Sequence, residues 1–144
     1  SQGVKAHGMN LGGRYVFPFG SVKFVPALHS SGYEIDGVMT YMGEASGIIL
    51  EAEDKKIYHA GDTALFSDMR LFAKDKSIDV AFLPIGDNYT MGPEDALEAI
   101  SYLNPEITIP IHYNTFPVIQ QNPAIFVEQV VGGKVLNPGE TILV

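Results

Sequence analysis

A mixed α/β (α+β) domain whose sheet is covered by helices is the fold class this sequence predicts, and three features predict it. The first third alternates extended segments with turns and ends in a hairpin candidate. Helix and strand signals then alternate to the C-terminus. The strand candidates of that second part, Asp79–Ile85 (DVAFLPI) and Ile107–Ile111 (ITIPI), are apolar nearly throughout, as strands with both faces covered are.

Taken in order, Arg14–Phe19 and Ser21–Leu28 (SVKFVPAL) read as strands around a Phe-Gly-Ser turn, with Pro26 marking an edge or bulge. Ser46–Ala52 (SGIILEA) and Lys56–Ala60 read as a hairpin closed by Glu53-Asp54-Lys55. Leu65–Lys74 places Leu65, Met69 and Phe72 at helical spacing, with Asp62 and Thr63 as capping candidates. Pro93 suits a first helical position, and Ala96, Ala99, Ile100 and Leu103 form one apolar stripe running to Asn104. Pro123–Val131 is the last predicted helix. Lys134–Val144, with a turn at Asn137-Pro138-Gly139, is predicted to close the sheet with a strand.

Composition narrows the function classes. A chain of 144 residues makes one domain, here residues 1–144, and seven Tyr with eight Phe are enough for a packed core. Nine Lys and Arg against 17 Asp and Glu give a formal charge of −8, which argues against nucleic acid or an anionic membrane as partner. There is no Cys, so a metal could be bound only by His and carboxylate, and a cytoplasmic protein is the plainer reading. No apolar run approaches the roughly 20 residues that span a bilayer, and no signal peptide is evident. The chain opens at Ser1 without Met, which points to a processed product or a proteolytic fragment.

Four His are present, and three stand where a predicted strand runs into a turn: His29 after SVKFVPAL, His59 in KIYHAGDT, and His112 after ITIPI. Asp62 and Asp87 occupy the same kind of position, in Ala60-Gly61-Asp62-Thr63 and Pro84-Ile85-Gly86-Asp87. Strand ends gather site residues because the loops there vary over a rigid base. Imidazole and carboxylate together suit Zn²⁺ first, with Mn²⁺ or Fe²⁺ as alternatives. Several of these residues also have a purely structural explanation. Asp62 could cap a helix, His59 could be a hydrogen-bonded supporting or core residue, Asp87-Asn88 could form an Asx-turn, and His7 reads as a surface residue.

The segments PALHSSG around His29, IYHAGDTALFSDM around Asp62, FLPIGDNYTMGPEDA around Asp87 and PIHYNTFP around His112 resemble, in order and spacing, the metallo-β-lactamase superfamily. Within it the resemblance is to the uncharacterised metal-dependent hydrolases related to L-ascorbate-6-phosphate lactonase, and it runs from end to end of the chain. It implies the C-terminal portion of an αββα sandwich with two divalent metal ions. By that resemblance His29 is a ligand of one metal, Asp62 bridges the two, and His112 binds the other. Asp62, with His59 and Asp87 in support, forms the catalytic set. A hydroxide between the metals would attack an ester, lactone, amide or phosphoester.

The family's earlier His-x-His-x-Asp-His segment does not occur here, so the resemblance implies that an N-terminal part of the domain lies outside this chain. Three readings follow. In the first, the chain is one portion of a split dinuclear hydrolase, completed by the missing N-terminal segment as a separate chain. Its other expected partners are a small-molecule substrate and further copies of itself in a homo-oligomer. In the second, it is a truncated, non-catalytic binding or assembly module. In the third, it is a mononuclear enzyme using these residues alone. For the enzyme readings, Asn88–Gly92 and Asn114–Pro117 are predicted pocket walls, with Tyr89, Met91 and Phe116 facing a small organic substrate.

Overall fold

A computed structural model describes residues 3–144, so the Ser1 start lies outside the described residues. Its centre is a six-stranded sheet in the order β1-β2-β5-β6-β7-β8. These strands are β1 (Arg14–Phe17), β2 (Gly20–Pro26), β5 (Ser46–Ala52), β6 (Lys55–His59), β7 (Val80–Pro84) and β8 (Ile107–Ile111). The strands β1, β2, β5 and β6 pair antiparallel through short turns. The pairs β6–β7 and β7–β8 are parallel, because a helical crossover separates each from the next.

The first crossover carries a 3-10 helix at Ser67–Ala73, and the second is the helix α1 (Pro93–Leu103). In α1 the predicted stripe is realised: Ala96, Ala99 and Leu103 are buried, Pro93 opens the helix, and left-handed Asn104 (φ 43°) ends it. These side chains, with Met69 and Phe72, cover one face of the sheet at Ile49, Tyr58, Ala81 and Leu83. A short helix α2 (Pro123–Glu128), capped by the Asn122 side chain, sets Phe126 against Ile85 and Ala96. Lys56 is buried on the same side, its ammonium donating to the carbonyls of Phe72 (2.5 Å) and Lys76 (3.1 Å).

The other face of the sheet is equally apolar but less covered. Register partners run across it as one row, Tyr15, Val22, Leu50, Ile57, Val80 and Ile107, and a second row holds Phe24, Ile48, His59, Phe82 and Ile109. Leu136 and Ile142 of the C-terminal tail pack against the β7–β8 end of this face. Toward β1 it opens: Ile48 is 38% and Tyr15 44% exposed.

Several expectations need correction. Leu65–Lys74 is a 3-10 helix rather than an α-helix, starting after Phe66; Met69 and Phe72, three apart, suit its tighter repeat. Asp62 and Thr63 therefore cap nothing. The last helix stops at Glu128, short of Val131. The closing strand at Lys134–Val144 does not form. One parallel bridge joins Gly133 to Thr108, and the Asn137–Glu140 turn then interrupts the extended run before Ile142 packs on the β7–β8 end of the sheet. A second hairpin, β3 (Gly32–Ile35) with β4 (Val38–Tyr41), was not foreseen; it makes its own two-stranded sheet and is exposed along both strands. Its Asp36-Gly37 turn, both residues at positive φ, was the readable signal.

Candidate metal centre

Because β2 and β6 both run antiparallel to β5, and β6, β7 and β8 are parallel, the ends of β2, β6, β7 and β8 lie along one edge of the sheet. His29 follows β2, Asp62 follows β6, Asp87 follows β7 and His112 follows β8. Alternation of crossovers and strands thus brings residues distant in sequence to a common edge, the usual place for a site in a sheet of this kind.

Of these, the structure brings Asp62 and His112 together: Oδ2 of Asp62 lies 3.5 Å from Nε2 of His112. Two ligands each ~2.1 Å from one zinc ion at a tetrahedral angle stand roughly 3.4 Å apart, so the pair is spaced to share an ion. Asp62 is half exposed and His112 mostly covered. The Nδ1 of His112 is buried and has no hydrogen-bond partner, which leaves Nε2 as its working nitrogen. His29 stands outside this pair. Among the described residues no three His, Asp or Glu side chains gather closely enough to hold an ion by themselves. The donors present fit two places in a zinc shell, which takes three or four.

Hydrogen bonds separate the three imidazoles chemically. Nδ1 of His29 lies 2.7 Å from the carbonyl oxygen of Ser30, so it must carry the proton and Nε2 keeps its lone pair. That is the arrangement of a metal-ligating His oriented by its backbone. Nδ1 of His59 instead accepts the Gly61 N–H (3.1 Å), so the proton sits on Nε2 and no lone pair is left for a metal. His59 also stacks on Phe82 with ring centres 5.5 Å apart. Partial burial lowers its pKa below the usual imidazole value, opposed by the Asp62 carboxylate. It is placed to support the turn beneath Asp62.

Asp87 does not form the Asx-turn weighed above, since its side chain bonds the N–H of the next residue rather than the one after it, and the turn is closed by the backbone bond from Thr90 N–H to the Asp87 carbonyl. Its carboxylate accepts the Asn88 N–H (2.8 Å), its backbone N–H donates to Met91, and the side chain is otherwise exposed. Of the predicted pocket walls, Tyr89 and Phe116 are exposed, but Met91 is fully buried in the core and faces no pocket. His112, Asp87, Asn88 and Asn114 all have positive φ, between 48° and 61°. Such residues outside glycine cost on the order of 1 kcal/mol or more each and collect at functional sites. Gly86 explains part of this crowding: a Cβ there would run into the carbonyl oxygen of His112 and come within 3.2 Å of its Nδ1.

Thr63, read in sequence only as a possible cap, joins the loops. It is completely buried. Its hydroxyl accepts the Leu28 N–H (2.9 Å) and donates to the Ala64 carbonyl (2.8 Å), while its own carbonyl accepts the Met91 N–H (2.9 Å). The loops after β2, β6 and β7 are thereby tied next to His29, Asp62 and Asp87. Thr63→Val keeps the volume and strands the Leu28 N–H, so a loss of about 1–3 kcal/mol in urea unfolding is expected. Weakened metal affinity should accompany it; an unchanged midpoint would remove Thr63 as the tie.

Comparison with known proteins agrees with this architecture. A family model described as "Beta-lactamase superfamily domain" matches residues 1–113. A UPF0173 metal-dependent hydrolase of Enterococcus faecalis is 99% identical over 144 residues, covering 100% of this chain and 64% of that protein. The chain therefore spans less than two thirds of that relative's length. The solved structure of Igni18, a novel metallo hydrolase from the hyperthermophilic archaeon Ignicoccus hospitalis, superposes with a TM-score of 0.83 at 37% identity, over 98% of this chain and 61% of that one. A metallo-beta-lactamase fold protein from Bacillus subtilis shares the fold at a TM-score of 0.62 and 10% identity, over 88% of this chain and 50% of that one. The α/β class expected from the sequence is the one found, and the chain belongs to the beta-lactamase superfamily domain family.

Proposed function

We propose that this chain is the greater part of a metal-dependent hydrolase that cleaves an ester, lactone, amide or phosphoester bond of a small molecule. The observation that carries the reading is the Asp62–His112 pair, 3.5 Å apart at the strand ends. Asp62 and His112 would hold an ion between them, and Asp62, with its second oxygen, would reach a neighbouring one. His29, its Nε2 free, would serve that second ion. Two divalent ions, zinc foremost and manganese or iron otherwise, would polarise the substrate's carbonyl or phosphoryl oxygen and supply a water of pKa about 7. His59 fixes the Gly61 turn that presents Asp62, and Asp87 shapes the loop that carries Met91 onto Thr63.

The remaining ligands are assigned to a further segment of the same domain. Three observations support that partner: an incomplete donor set, 64% coverage of the Enterococcus relative, and an apolar sheet face left partly open around Ile48 and Tyr15. A cytoplasmic location and assembly into a homo-oligomer belong to the same reading on sequence grounds alone.

The test is metal content and turnover of this chain with and without the complementary segment. The complete domain is expected to hold two divalent ions and to hydrolyse a chromogenic ester or phosphodiester in a chelator-sensitive way. Absence of stoichiometric metal in both forms would sink the reading and favour a non-catalytic module.

A further inference from the structure

In the sheet β5 lies between β2 and β6, yet the loops after β2 and β6, which carry His29 and Asp62, are bonded to each other. The link is reciprocal. Leu28 N–H donates to the Thr63 hydroxyl (2.9 Å), and Ala64 N–H donates to the Leu28 carbonyl (3.0 Å). Leu28 adjoins His29 and Thr63 adjoins Asp62, so the two bonds fix the spacing of the backbones that carry both residues. To make this link, the chain leaving β6 has to pass over the start of β5.

The passage is made at Gly47. Ile48 pairs with His59 in the antiparallel register, which puts Gly47 beside Ala60 one step further on. A side chain at 47 would point to the helix-covered face, the one that Ile49 shares with Val25 and Tyr58. There a Cβ would stand 2.9 Å from the Ala60 carbonyl oxygen, 3.0 Å from that of His59 and 3.2 Å from the Tyr58 ring. The two carbonyls thus occupy the volume that a side chain would fill, and no rotamer change can move them. At the next residue Gly61 runs so close to β5 that its own Cβ would lie 2.9 Å from the Ser46 carbonyl oxygen. The chain then continues through Asp62 to Thr63, which meets Leu28 on the far side of β5. Gly47 and Ala60 are both buried by residues of this chain, on the face opposite the open one. The crossing is therefore the same whatever covers the open face.

We propose that Gly47 is a positioning residue of the candidate centre. Its missing side chain lets the Asp62 loop cross β5 and lock to the His29 loop, so that the two ligands keep one separation. The inference rests on the hydrolase reading for the words centre and ligand; the crossing stands by itself. It also gives His29 a place in the centre. The His29 side chain stands outside the Asp62–His112 pair, so its share depends on a backbone link rather than on contact between side chains. A strand that carries no ligand is thereby part of the frame, as rigid sites require of the elements beneath them.

The test is Gly47→Ala in the complete domain, read by zinc affinity under chelator competition and by amide exchange at Leu28 and Ala64. Zinc is expected to bind ~10- to 100-fold more weakly, the range for losing a group that orients a metal ligand. Both amides should exchange faster, because the methyl pushes the Asp62 loop off β5 and opens the link to Leu28. Ile49→Val is the control: it removes one methyl from the same strand and face, and touches neither loop. It should lower Tm while leaving both amides and the zinc affinity at the parent's values. If Gly47→Ala also lowered Tm alone, with amides and zinc unchanged, the glycine would serve packing only and the proposal would fall. If the variant did not fold, the parent domain decides. Exchange at Leu28 and Ala64 as slow as in the β5–β6 ladder supports the crossing as a fixed part of the frame, and fast local exchange overturns it. A parent domain that takes up no zinc would overturn the hydrolase reading and leave the crossing, which the two amides decide.

Discussion

Replacing His112 by alanine is expected to lower kcat/KM of the completed domain at least ~100-fold, or about 3 kcal/mol of transition-state stabilisation. The loss follows from geometry. Nε2 of His112 is the nitrogen facing Asp62, and the other ring nitrogen is buried without a partner. No second imidazole is near enough to take over, since His59 has committed its lone pair to Gly61. Metal content should fall by about one ion per domain. The ring is only partly exposed and its Nδ1 makes no hydrogen bond, so its removal should cost little stability. Circular dichroism and thermal unfolding then separate loss of a ligand from loss of fold. Asp62→Asn provides the second arm: it keeps the shape, removes the charge that would bind two cations, and should empty both positions. A His112→Ala protein with normal turnover and normal metal content would remove the centre from this edge of the sheet.

How much of this was legible beforehand depended on the kind of signal each residue carried. The helix α1 could be read because its apolar stripe, its opening Pro93 and its terminal Asn104 agree with one another. The parallel strands could be read because apolar runs as short as Val80–Pro84 and Ile107–Ile111 have few other uses. The strand-end positions of His29, Asp62, Asp87 and His112 followed from those strands. The pairing of Asp62 with His112 did not, because 50 residues and two crossovers separate them and only the sheet order makes them neighbours.

Other features were hidden for identifiable reasons. A buried threonine that satisfies backbone groups on three loops looks, in sequence, like any threonine before a helix, so Thr63 was taken for a cap. Met91 was assigned to a pocket wall from its neighbours in a polar loop, yet its N–H bond to Thr63 pulls it inward and buries it completely. The tail beyond Gly133 carries Leu136, Ile142 and Leu143, which read as a strand. Its Asn137-Pro138-Gly139 turn, locked by Glu140, decides otherwise.

Gly86→Ala tests the link between fold and centre most directly, and its expected effect on stability is the largest argued here. Gly86 lies between β7 and the loop of Asp87, fully buried, with its missing side chain facing His112 and Ile119. A methyl group there would meet the His112 carbonyl oxygen, a backbone atom that no rotamer change can move, and would stand 3.0 Å from the Ile119 Cβ. Relief requires the ends of β7 and β8 to separate, at the place where Ile85 N–H donates to the Ile111 carbonyl (3.1 Å). A loss of ~3 kcal/mol is expected, within the range for overpacking a rigid interior. For a domain of this size that lowers Tm by roughly 10 °C. The same movement draws His112 away from Asp62, so metal affinity in the folded protein should fall as well, although neither ligand has been changed. A nearby surface control, Thr115→Ala, removes an exposed side chain from the loop after His112 at a position with ordinary φ and should leave both Tm and metal affinity within a small margin of the parent. If Gly86→Ala lost stability but kept full metal affinity, the backbone contact would be structural only, and the position of His112 would be set by something other than the β7–β8 junction.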